Sequence, residues 1–498
     1  MESGIENLAG LVRDMNIAFD KPRDRGREPP RSTHLEKVSL RVAIGVLLQV
    51  TNRITSQAQS VGSPVDDVGS ADNLPIAKFR SLRGSLTKIT SNLRTTIDAL
   101  DEATERSIII HLRSLGGRSA IGALLSRFDG QIREIIREVL NNTSDLEVLW
   151  RVAEKCYKEA SSRDGILHAD DSDFDSEEYY EHEDRLDLNE NHDASFQKQP
   201  KQNDKAKRKR RQSWTDFWID VLNDSPAGPT LFYTPASSNA QLLDFGPVPK
   251  YLFRTFDKYS SRSNNESVIA SMASTGSLEN SRTDILKLDR DIATESLEKH
   301  LNKPCFVWEK SDNLVSWTSS LLFAIQYAVW MLGKRGCRSY DIHICAVDTR
   351  AFPPGQFAQD IWLLEKYRAN ATQIGGKIQS FFDFRLQRED YYNGEYLSQG
   401  VLNHTGRSCI VSLEQLIQAG LYELYPEFED VEGNTKWAKR VKELRQNWSE
   451  EQETTDREIE LALGVWHNCF ARFDPCDIAS ILLTFKNRRF TRPEPTGK

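Results

Sequence analysis

Polar residues in two segments before residue 320 could contact a charged ligand. Arg254 lies in the middle of the apolar segment "YLFRTFD". A guanidinium in a buried strand is costly unless it meets a fixed anion. Ser316, Thr318 and Ser319 come shortly before an apolar run that begins at Leu321. Because one hydroxyl is enough to cap a helix, the surplus hydroxyls could face a ligand.

A carboxylate, Glu395, follows Gly394 in the segment "YYNGEYLSQGVL". Beside a reacting centre, a carboxylate can stabilise positive charge that develops in a transition state. Each of these residues also has a purely structural interpretation. Arg254 could form a salt bridge with a local acid, the hydroxyl groups could be exposed, and Glu395 could be solvated in a turn. The sequence leaves both interpretations open.

Apolar segments predict the strands and helices that position these side chains. The clearest strands are residues 251–257, 340–349 and 407–412. The clearest helices are "DRDIATESLEKHLN", "SLLFAIQYAVWMLG", "KWAKRVKELRQNW" and "REIELALGVWHNCFARF". Ser319 or Ser320 is predicted to cap the helix that starts near Leu321, and Ser412 and Gln415 fit a capping box.

The chain of 498 residues is predicted to contain two folded domains joined by a charged linker. In residues 1–160, apolar residues recur every three or four positions, which predicts an all-helical N-terminal bundle. Residues 213–498, with a core of about 250–490, mix strands and helices without βαβ regularity. The predicted class of this C-terminal domain is therefore α+β rather than a doubly wound sheet.

Residues 161–212 have the composition of a disordered linker. Residues 170–193 form an acidic block with twelve Asp and Glu among 24 residues, and Lys205–Arg211 contains six basic residues. Such a segment cannot bury enough apolar area to offset its chain entropy. The basic block either directs nuclear import or pairs with the acidic block beside it.

Composition and motifs argue against several classes of protein. The net charge of −8 makes nucleic-acid binding an unfavourable hypothesis. The longest apolar stretch is too short to span a membrane, and the N-terminus shows no secretory signal. Seven scattered cysteines predict reduced thiols in an intracellular protein, nuclear or cytoplasmic, without a metal site. The motifs of P-loop ATPases, dehydrogenases and G-x-S-x-G hydrolases are absent.

Four segments of the C-terminal domain resemble an uncharacterised domain family of filamentous fungi. They are "LFRTFDKYSSRSNNESVIAS", "SWTSSLLFAIQYAVW", "DIHICAVDTRAFPPGQFAQDIWLLEKYR" and "YYNGEYLSQGVLNHTGRSCIVSLEQLIQAGLYELYPEF". This resemblance covers about 250–490 and implies domain boundaries, but it implies no mechanism.

The order of these segments also resembles the Arg–Ser–Glu class of ADP-ribosyltransferases. The order is a strand arginine, a Ser/Thr strand before an "A-x-x-F/Y-A" helix, and a glutamate before "G-V-L…C-I-V-S". The resemblance implies a split sheet and NAD as the substrate, with Arg254 holding the phosphate and ribose region. It implies that Ser316, Thr318 or Ser319 supports the nicotinamide end of NAD.

The same resemblance implies that Glu395 is catalytic and stabilises an oxocarbenium-like transition state. Enzymes of this class that modify arginine carry a second glutamate two residues earlier, where this chain has Asn393. Arginine is therefore not implied as the acceptor.

Two functions of different classes remain as hypotheses. The first is NAD-dependent ADP-ribosyl transfer, or NAD hydrolysis, in the C-terminal domain. The alternative is a non-catalytic interaction protein, and in either case the N-terminal helices are expected to bind a protein partner. The enzyme requires Arg254, residues 316–319 and Glu395 to line one cleft, whereas an interaction protein allows them to be scattered.

Overall fold

The computed structural model describes the chain between residues 76 and 489, with gaps. The described residues are 76–116, 121–142, 147–169, 199–225, 227–233, 248–257, 264–275, 282–302, 312–388, 392–429 and 437–489.

Helices form the first part of the described chain. They are α1 (Ile76–Leu115), α2 (Gly122–Arg127), α3 (Asp129–Asn142), α4 (Val148–Ser161) and α5 (Gln199–Asp224). The chain separates into one unit of residues 1–109 and a second unit of residues 110–498. Helices α2 to α5 therefore belong to the same unit as the strands that follow.

Strands and helices are mixed in the remainder of the second unit. In chain order they are β1 (Pro229–Thr230), β2 (Tyr251–Asp257), β3 (Val268–Ala270), α6 (Met272–Thr275), α7 (Arg290–Leu301), β4 (Leu314–Thr318), α8 (Leu321–Arg335), β5 (Ile342–Asp348), β6 (Ala358–Gln359), α9 (Asp360–Ile374), α10 (Gly376–Gln387), β7 (Glu395–Asn403), β8 (Ser408–Ser412), α11 (Leu413–Gln418), α12 (Leu421–Leu424), α13 (Trp437–Asn447), β9 (Gln452–Glu453), α14 (Asp456–Cys469), α15 (Pro475–Leu483) and β10 (Arg488–Arg489).

Strands β1 to β8 form one sheet, in which the pairings are antiparallel. The order along the sheet is β1–β7–β4–β2–β5–β8, and β3 and β6 also pair with β7. Strand β2 pairs with β5 along its whole length, and β4 pairs in the same way with β7. Between β2 and β4, the pairing within the described residues is confined to Phe253 and Thr318. The two strands therefore diverge, and the sheet is nearly split into two halves.

Helices cover one face of the sheet. Residues that are directly opposite in antiparallel strands point to the same face, so Phe253, Thr318 and Glu395 share a face. On the β2–β5 half, Phe253 packs in a buried cluster with Ile325 of the apolar helix α8. On the β4–β7 half, Leu397 packs with helices α7, α9 and α10. Thr318 and Glu395 therefore lie on the helix-covered face.

The opposite face of the sheet encloses an aromatic core. Leu252 and Phe256 of β2 pack there with Trp317 of β4 and Tyr396 of β7. Side chains alternate along a strand, and Arg254 lies midway between Leu252 and Phe256. The side chain of Arg254 therefore leaves β2 on this second face.

One hydroxyl before α8 is a helix cap. Ser320 Oγ accepts a hydrogen bond from Phe323 N at 3.2 Å. Such a cap contributes about 1 kcal/mol to stability because it satisfies a backbone amide that has no partner within the helix. At the other end, α8 stops at Gly336, whose φ of 63° favours glycine. The prediction that Ser319 or Ser320 caps this helix is confirmed, and the cap is Ser320.

Most of the predicted elements are confirmed. The predicted strand at 251–257 is β2 with the same bounds, 340–349 contains β5, and 407–412 contains β8. The four predicted helices correspond to α7, α8, α13 and α14. Ser412 and Gln415 form the predicted capping box. The N-terminal region is helical where it is described, and the C-terminal region is α+β.

The predicted linker is described only in part. Residues 170–198, with the acidic block, lie outside the described residues, and so do residues 1–75 of the predicted bundle. Helix α5 begins at Gln199, so the basic block Lys205–Arg211 belongs to a helix rather than to an irregular segment. The division into domains at residues 160 and 213 stays a prediction.

Among the described helices, none is long and apolar enough to cross a membrane. The described part of the chain also contains no group of three or more His, Cys, Asp or Glu side chains placed to hold a metal ion.

Candidate functional site

The predicted site residues lie on three neighbouring strands. Arg254 is on β2, Ser316 and Thr318 are on β4, Ser319 follows β4 directly, and Glu395 is the first residue of β7. Strands β7, β4 and β2 are adjacent in this order in the sheet. The fold therefore brings together residues that are far apart in the sequence.

Hydrogen bonds from the end of β4 hold the turn that precedes Glu395. Thr318 is directly opposite Glu395 in the β4–β7 ladder. The Thr318 hydroxyl donates to the carbonyl oxygen of Asn393 at 2.6 Å, and Ser319 N donates to the carbonyl oxygen of Gly394 at 2.7 Å. Thr318 and Ser319 therefore position the backbone on which the Glu395 carboxylate stands.

The glycine before Glu395 is required by both conformation and space. Gly394 has a φ of 65°, in the left-handed region that favours glycine. A Cβ atom at this position would lie 2.0 Å from Ser319 Oγ. The close approach of the two segments therefore depends on the absence of a side chain at Gly394.

The guanidinium of Arg254 has no carboxylate partner among the described residues. Its Nη1 donates to the carbonyl oxygen of Ser316 at 2.6 Å. Its Nε is inaccessible to solvent and has no hydrogen-bond partner in the described part of the chain, although the residue as a whole keeps some exposure. Burial lowers the pKa of Arg254 below its ordinary value. The salt bridge considered for Arg254 is therefore not formed with any described residue.

Arg254 and Glu395 do not leave the sheet on the same face. Glu395 points to the helix-covered face with Thr318, whereas Arg254 leaves β2 on the aromatic face. The Arg254 guanidinium reaches Ser316 where β2 and β4 diverge. Arg254 and Glu395 therefore do not line one cleft on a single face, which the enzyme hypothesis required and which counts against it. A ligand that contacts both side chains must lie across this divergence.

Glu395 belongs to a buried charge cluster with Arg385 and Asp360. Arg385 Nη2 lies 3.0 Å from Glu395 Oε2 and also contacts Asp360 Oδ2. Asp360 is fully buried, and its Oδ1 has no partner among the described residues. Burial, and secondly the charge of Glu395, raises the pKa of Asp360 to about 7. One arginine therefore faces two carboxylates, and its single positive charge does not fully compensate both of them when they are ionised.

The Ser316 hydroxyl points to helix α7. Its Oγ lies 2.9 Å from Nε2 of His300, and Nδ1 of the same imidazole lies 2.8 Å from Asp312 Oδ1. Ser316 is opposite Leu397, so its hydroxyl lies on the same face of the sheet as the Glu395 carboxylate.

Sequence reasoning missed Asp360, Arg385, His300 and Asp312. Asp360 and Arg385 are 25 residues apart, and His300 and Asp312 are 12 residues apart, so neither pair forms a local motif. The local signals are that Asp312 stands shortly before the Ser/Thr strand that the resemblance implies, and that His300 stands near the end of a predicted helix.

One comparison with known proteins gives a match, and this match covers part of the C-terminal region. A family model described as "Domain of unknown function (DUF7587)" matches residues 247–400, which include every predicted site residue. No curated protein matches the chain, and no solved structure matches it. An uncharacterised domain is therefore present in the C-terminal region.

Proposed function

We propose that the C-terminal α+β domain binds NAD and cleaves its nicotinamide–ribosyl bond, as an ADP-ribosyltransferase-like or NAD-hydrolysing enzyme. The observation that supports this proposal is the adjacency of β7, β4 and β2, which sets Thr318 beside Glu395 and Arg254 beside Ser316. A guanidinium without a carboxylate partner and a positioned carboxylate fit a ligand that carries an anionic diphosphate and a cationic pyridinium.

Glu395 would act on the positive charge that develops on the ribose. When the nicotinamide–ribosyl bond breaks, its electron pair leaves with nicotinamide, which becomes neutral, and the sugar becomes an oxocarbenium-like cation. A carboxylate beside this cation stabilises the transition state more than the ground state. Water or an acceptor nucleophile then adds to the sugar and loses a proton.

Arg254 would hold the diphosphate. A planar guanidinium can donate two parallel hydrogen bonds to phosphate oxygens. Arg254 already uses Nη1 on the Ser316 carbonyl, and no carboxylate among the described residues neutralises its charge. Its Nε is shielded from solvent, so a phosphate oxygen would have to displace the packing around this nitrogen. Since Arg254 and Glu395 leave opposite faces, NAD would thread the divergence between β2 and β4 with its nicotinamide end toward Glu395.

Release of Glu395 from Arg385 would accompany binding. Arg385 pairs with Glu395, and the same guanidinium also contacts the buried Asp360. A buried cation left without any partner is costly, but Arg385 would keep Asp360 after Glu395 turns to the substrate. The cluster therefore allows the Glu395 carboxylate to be redirected without leaving an unpaired charge.

The proposal extends to the cellular setting of the protein. We propose that the helices predicted in residues 1–160 bind a protein partner and that the basic block Lys205–Arg211 directs part of the protein to the nucleus. The six basic residues of this block, within seven positions of one helix, support the second statement. A non-catalytic interaction protein remains the alternative function if the domain has no activity on NAD.

The experiment is to measure NAD binding by calorimetry and NAD turnover on the wild-type chain and two variants. Glu395→Gln should keep binding and lower turnover by roughly 10²–10⁴-fold, because it removes one well-placed charge with little change in shape. Arg254→Ala should weaken NAD binding roughly 10–100-fold, since hydrogen bonds from a charged group contribute in ground and transition states alike.

Matched controls separate catalysis from folding. Glu365→Gln makes the same substitution at an exposed site on α9 and should change neither binding nor turnover. Arg254→Lys keeps the positive charge and should bind NAD better than Arg254→Ala does. Melting temperatures show whether each variant is folded. A folded wild-type chain that neither binds nor consumes NAD would refute the proposal in favour of the interaction protein.

A further inference from the structure

Ser316, His300 and Asp312 form a hydrogen-bonded chain across two elements. His300 lies in the last turn of α7, Asp312 precedes β4, and Ser316 is the central residue of β4. The Ser316 Oγ to His300 Nε2 distance is 2.9 Å, and the His300 Nδ1 to Asp312 Oδ1 distance is 2.8 Å. Each nitrogen of the imidazole therefore has one oxygen partner, Ser316 Oγ for Nε2 and Asp312 Oδ1 for Nδ1.

The partners of the imidazole set its protonation pattern. An ionised carboxylate only accepts hydrogen bonds, so Asp312 requires the proton of neutral His300 to be on Nδ1. Nε2 is then an acceptor, and the Ser316 hydroxyl must be the donor. Asp312 is itself anchored, because the same Oδ1 accepts from Leu314 N at 3.0 Å. A hydroxyl that donates to an oriented imidazole is the arrangement of an activated nucleophile.

The surroundings of Ser316 favour a reactive hydroxyl over a buried structural contact. The His300 side chain is only 3% exposed, whereas Ser316 is partly exposed. The carbonyl of Ser316 faces the divergence of β2 and β4, where it accepts from Arg254. Ser316 is therefore the more accessible member of the Ser316–His300 pair.

We propose that Ser316 is the nucleophile of a second activity, the hydrolysis of carboxylic esters, with His300 as general base and Asp312 as its positioning residue. Ser316 Oγ attacks the ester carbonyl, and its proton passes to His300 Nε2. The tetrahedral oxyanion collapses, the C–O bond to the alcohol breaks, and the alcohol leaves with the proton from His300. Water then attacks the acyl-Ser316 by the same route, which releases the carboxylic acid and restores the hydroxyl.

The test uses the full chain without NAD, so its outcome is independent of the proposed NAD chemistry. The probe is a fluorophosphonate, which phosphonylates activated serines, and mass spectrometry locates the label. Wild type should be labelled at Ser316, and Ser316→Ala should lose that label. Ser380→Ala, at a serine of α10 that bonds only to a backbone carbonyl of its own helix, should be labelled like wild type. In Ser316→Ala, the hydrolysis of p-nitrophenyl acetate should be lost together with the label.

Two further variants test the other members of the chain. Asp312→Asn should slow labelling about 10²–10⁴-fold at an unchanged melting temperature, because the amide no longer holds the correct tautomer. Asp312→Glu, which retains a carboxylate, should recover part of the rate. His300→Ala should lose labelling, and added imidazole should restore part of it. A folded wild-type chain that is not labelled at Ser316, or variants that are labelled at the wild-type rate, would overturn the proposal.

Discussion

At the scale of single residues, the Asp360 carboxylate beside the proposed site is buried and only partly paired. Its side chain is fully buried, one oxygen contacts Arg385, and the other has no partner among the described residues. Burial opposes the charged form more than Arg385 favours it, so the pKa of Asp360 rises to about 7. The unfolded chain should bind the proton with the ordinary Asp pKa of about 3.9.

This difference predicts how stability depends on pH. The raised pKa means that the contribution of Asp360 is fully present below about pH 4 and is lost as the pH rises through about 7. The loss is up to about 4 kcal/mol of unfolding free energy, since one pKa unit corresponds to about 1.4 kcal/mol. Asp360→Asn cannot ionise, so the unfolding free energy of this variant relative to wild type should rise between pH 4 and pH 8.

Urea unfolding of both proteins at several pH values measures this difference. The matched control is Asp383→Asn, which removes a partly exposed carboxylate from the neighbouring helix α10. If the curves of wild type and Asp360→Asn stay parallel from pH 4 to pH 8, the carboxylate is ionised in the folded protein throughout this range.

At the scale of elements, the sequence predicts segments better than it predicts their arrangement. The strand at 251–257 and the cap at Ser320 follow from local patterns, which depend on apolar spacing and on hydrogen bonds within a few residues. The face on which Arg254 leaves β2 depends on its register with β4, and that register is set by packing between distant segments. The segments alone therefore could not predict that Arg254 and Glu395 leave the sheet on opposite faces instead of lining one cleft.

The charge cluster shows the same limit for the candidate site. Glu395 could be found because it follows a glycine in a short motif. Arg385 could not, because its contact with Glu395 joins the end of α10 to the start of β7, and no local pattern specifies this contact. Side chains that tune a site through tertiary contacts leave no spacing signal in one sequence.

Helix α5 combines two segments of different character, and this division predicts a test of location. Its later half buries Trp214, whose Nε1 donates to the carbonyl of Leu167 at 2.9 Å, while its earlier half carries the basic block. Replacement of Lys207, Arg208, Lys209, Arg210 and Arg211 by alanine should shift any nuclear pool to the cytoplasm. The measurement is the nuclear-to-cytoplasmic ratio of a fluorescently tagged chain.

The control for this replacement removes charge elsewhere. Lys439→Ala with Arg457→Ala takes away two exposed basic residues outside the block and should leave the distribution unchanged. Arg211 Nε donates to the carbonyl of Ala169, so the melting temperature of the replaced chain must also be compared with wild type. If a folded variant keeps the nuclear-to-cytoplasmic ratio of wild type, the basic block does not direct nuclear import. The alternative, in which it pairs with the acidic block, is then favoured.

At the scale of the whole molecule, helix α4 connects the helical part of the second unit to the sheet. Glu154 and Arg407 form two hydrogen-bonded contacts, 2.8 Å between Nη1 and Oε1 and 3.0 Å between Nη2 and Oε2, and both side chains are largely buried. Lys158 Nζ also donates to the carbonyl of Ala351 at 2.7 Å. Residues near the end of the predicted bundle therefore pack directly on the α+β domain.

This packing predicts the behaviour of the chain after proteolysis. The acidic composition of residues 170–198 makes this segment the expected first site of cleavage, and the two fragments should then co-elute in gel filtration. Arg407→Ala removes both contacts between the buried Glu154 carboxylate and the sheet and leaves Glu154 with Lys158 of its own helix, so the cleaved variant should separate into two peaks. Arg457→Ala breaks an exposed pair with Glu423 and should behave like wild type. If the wild-type fragments elute separately as soon as the chain is cleaved, the contacts of α4 do not hold the two parts together.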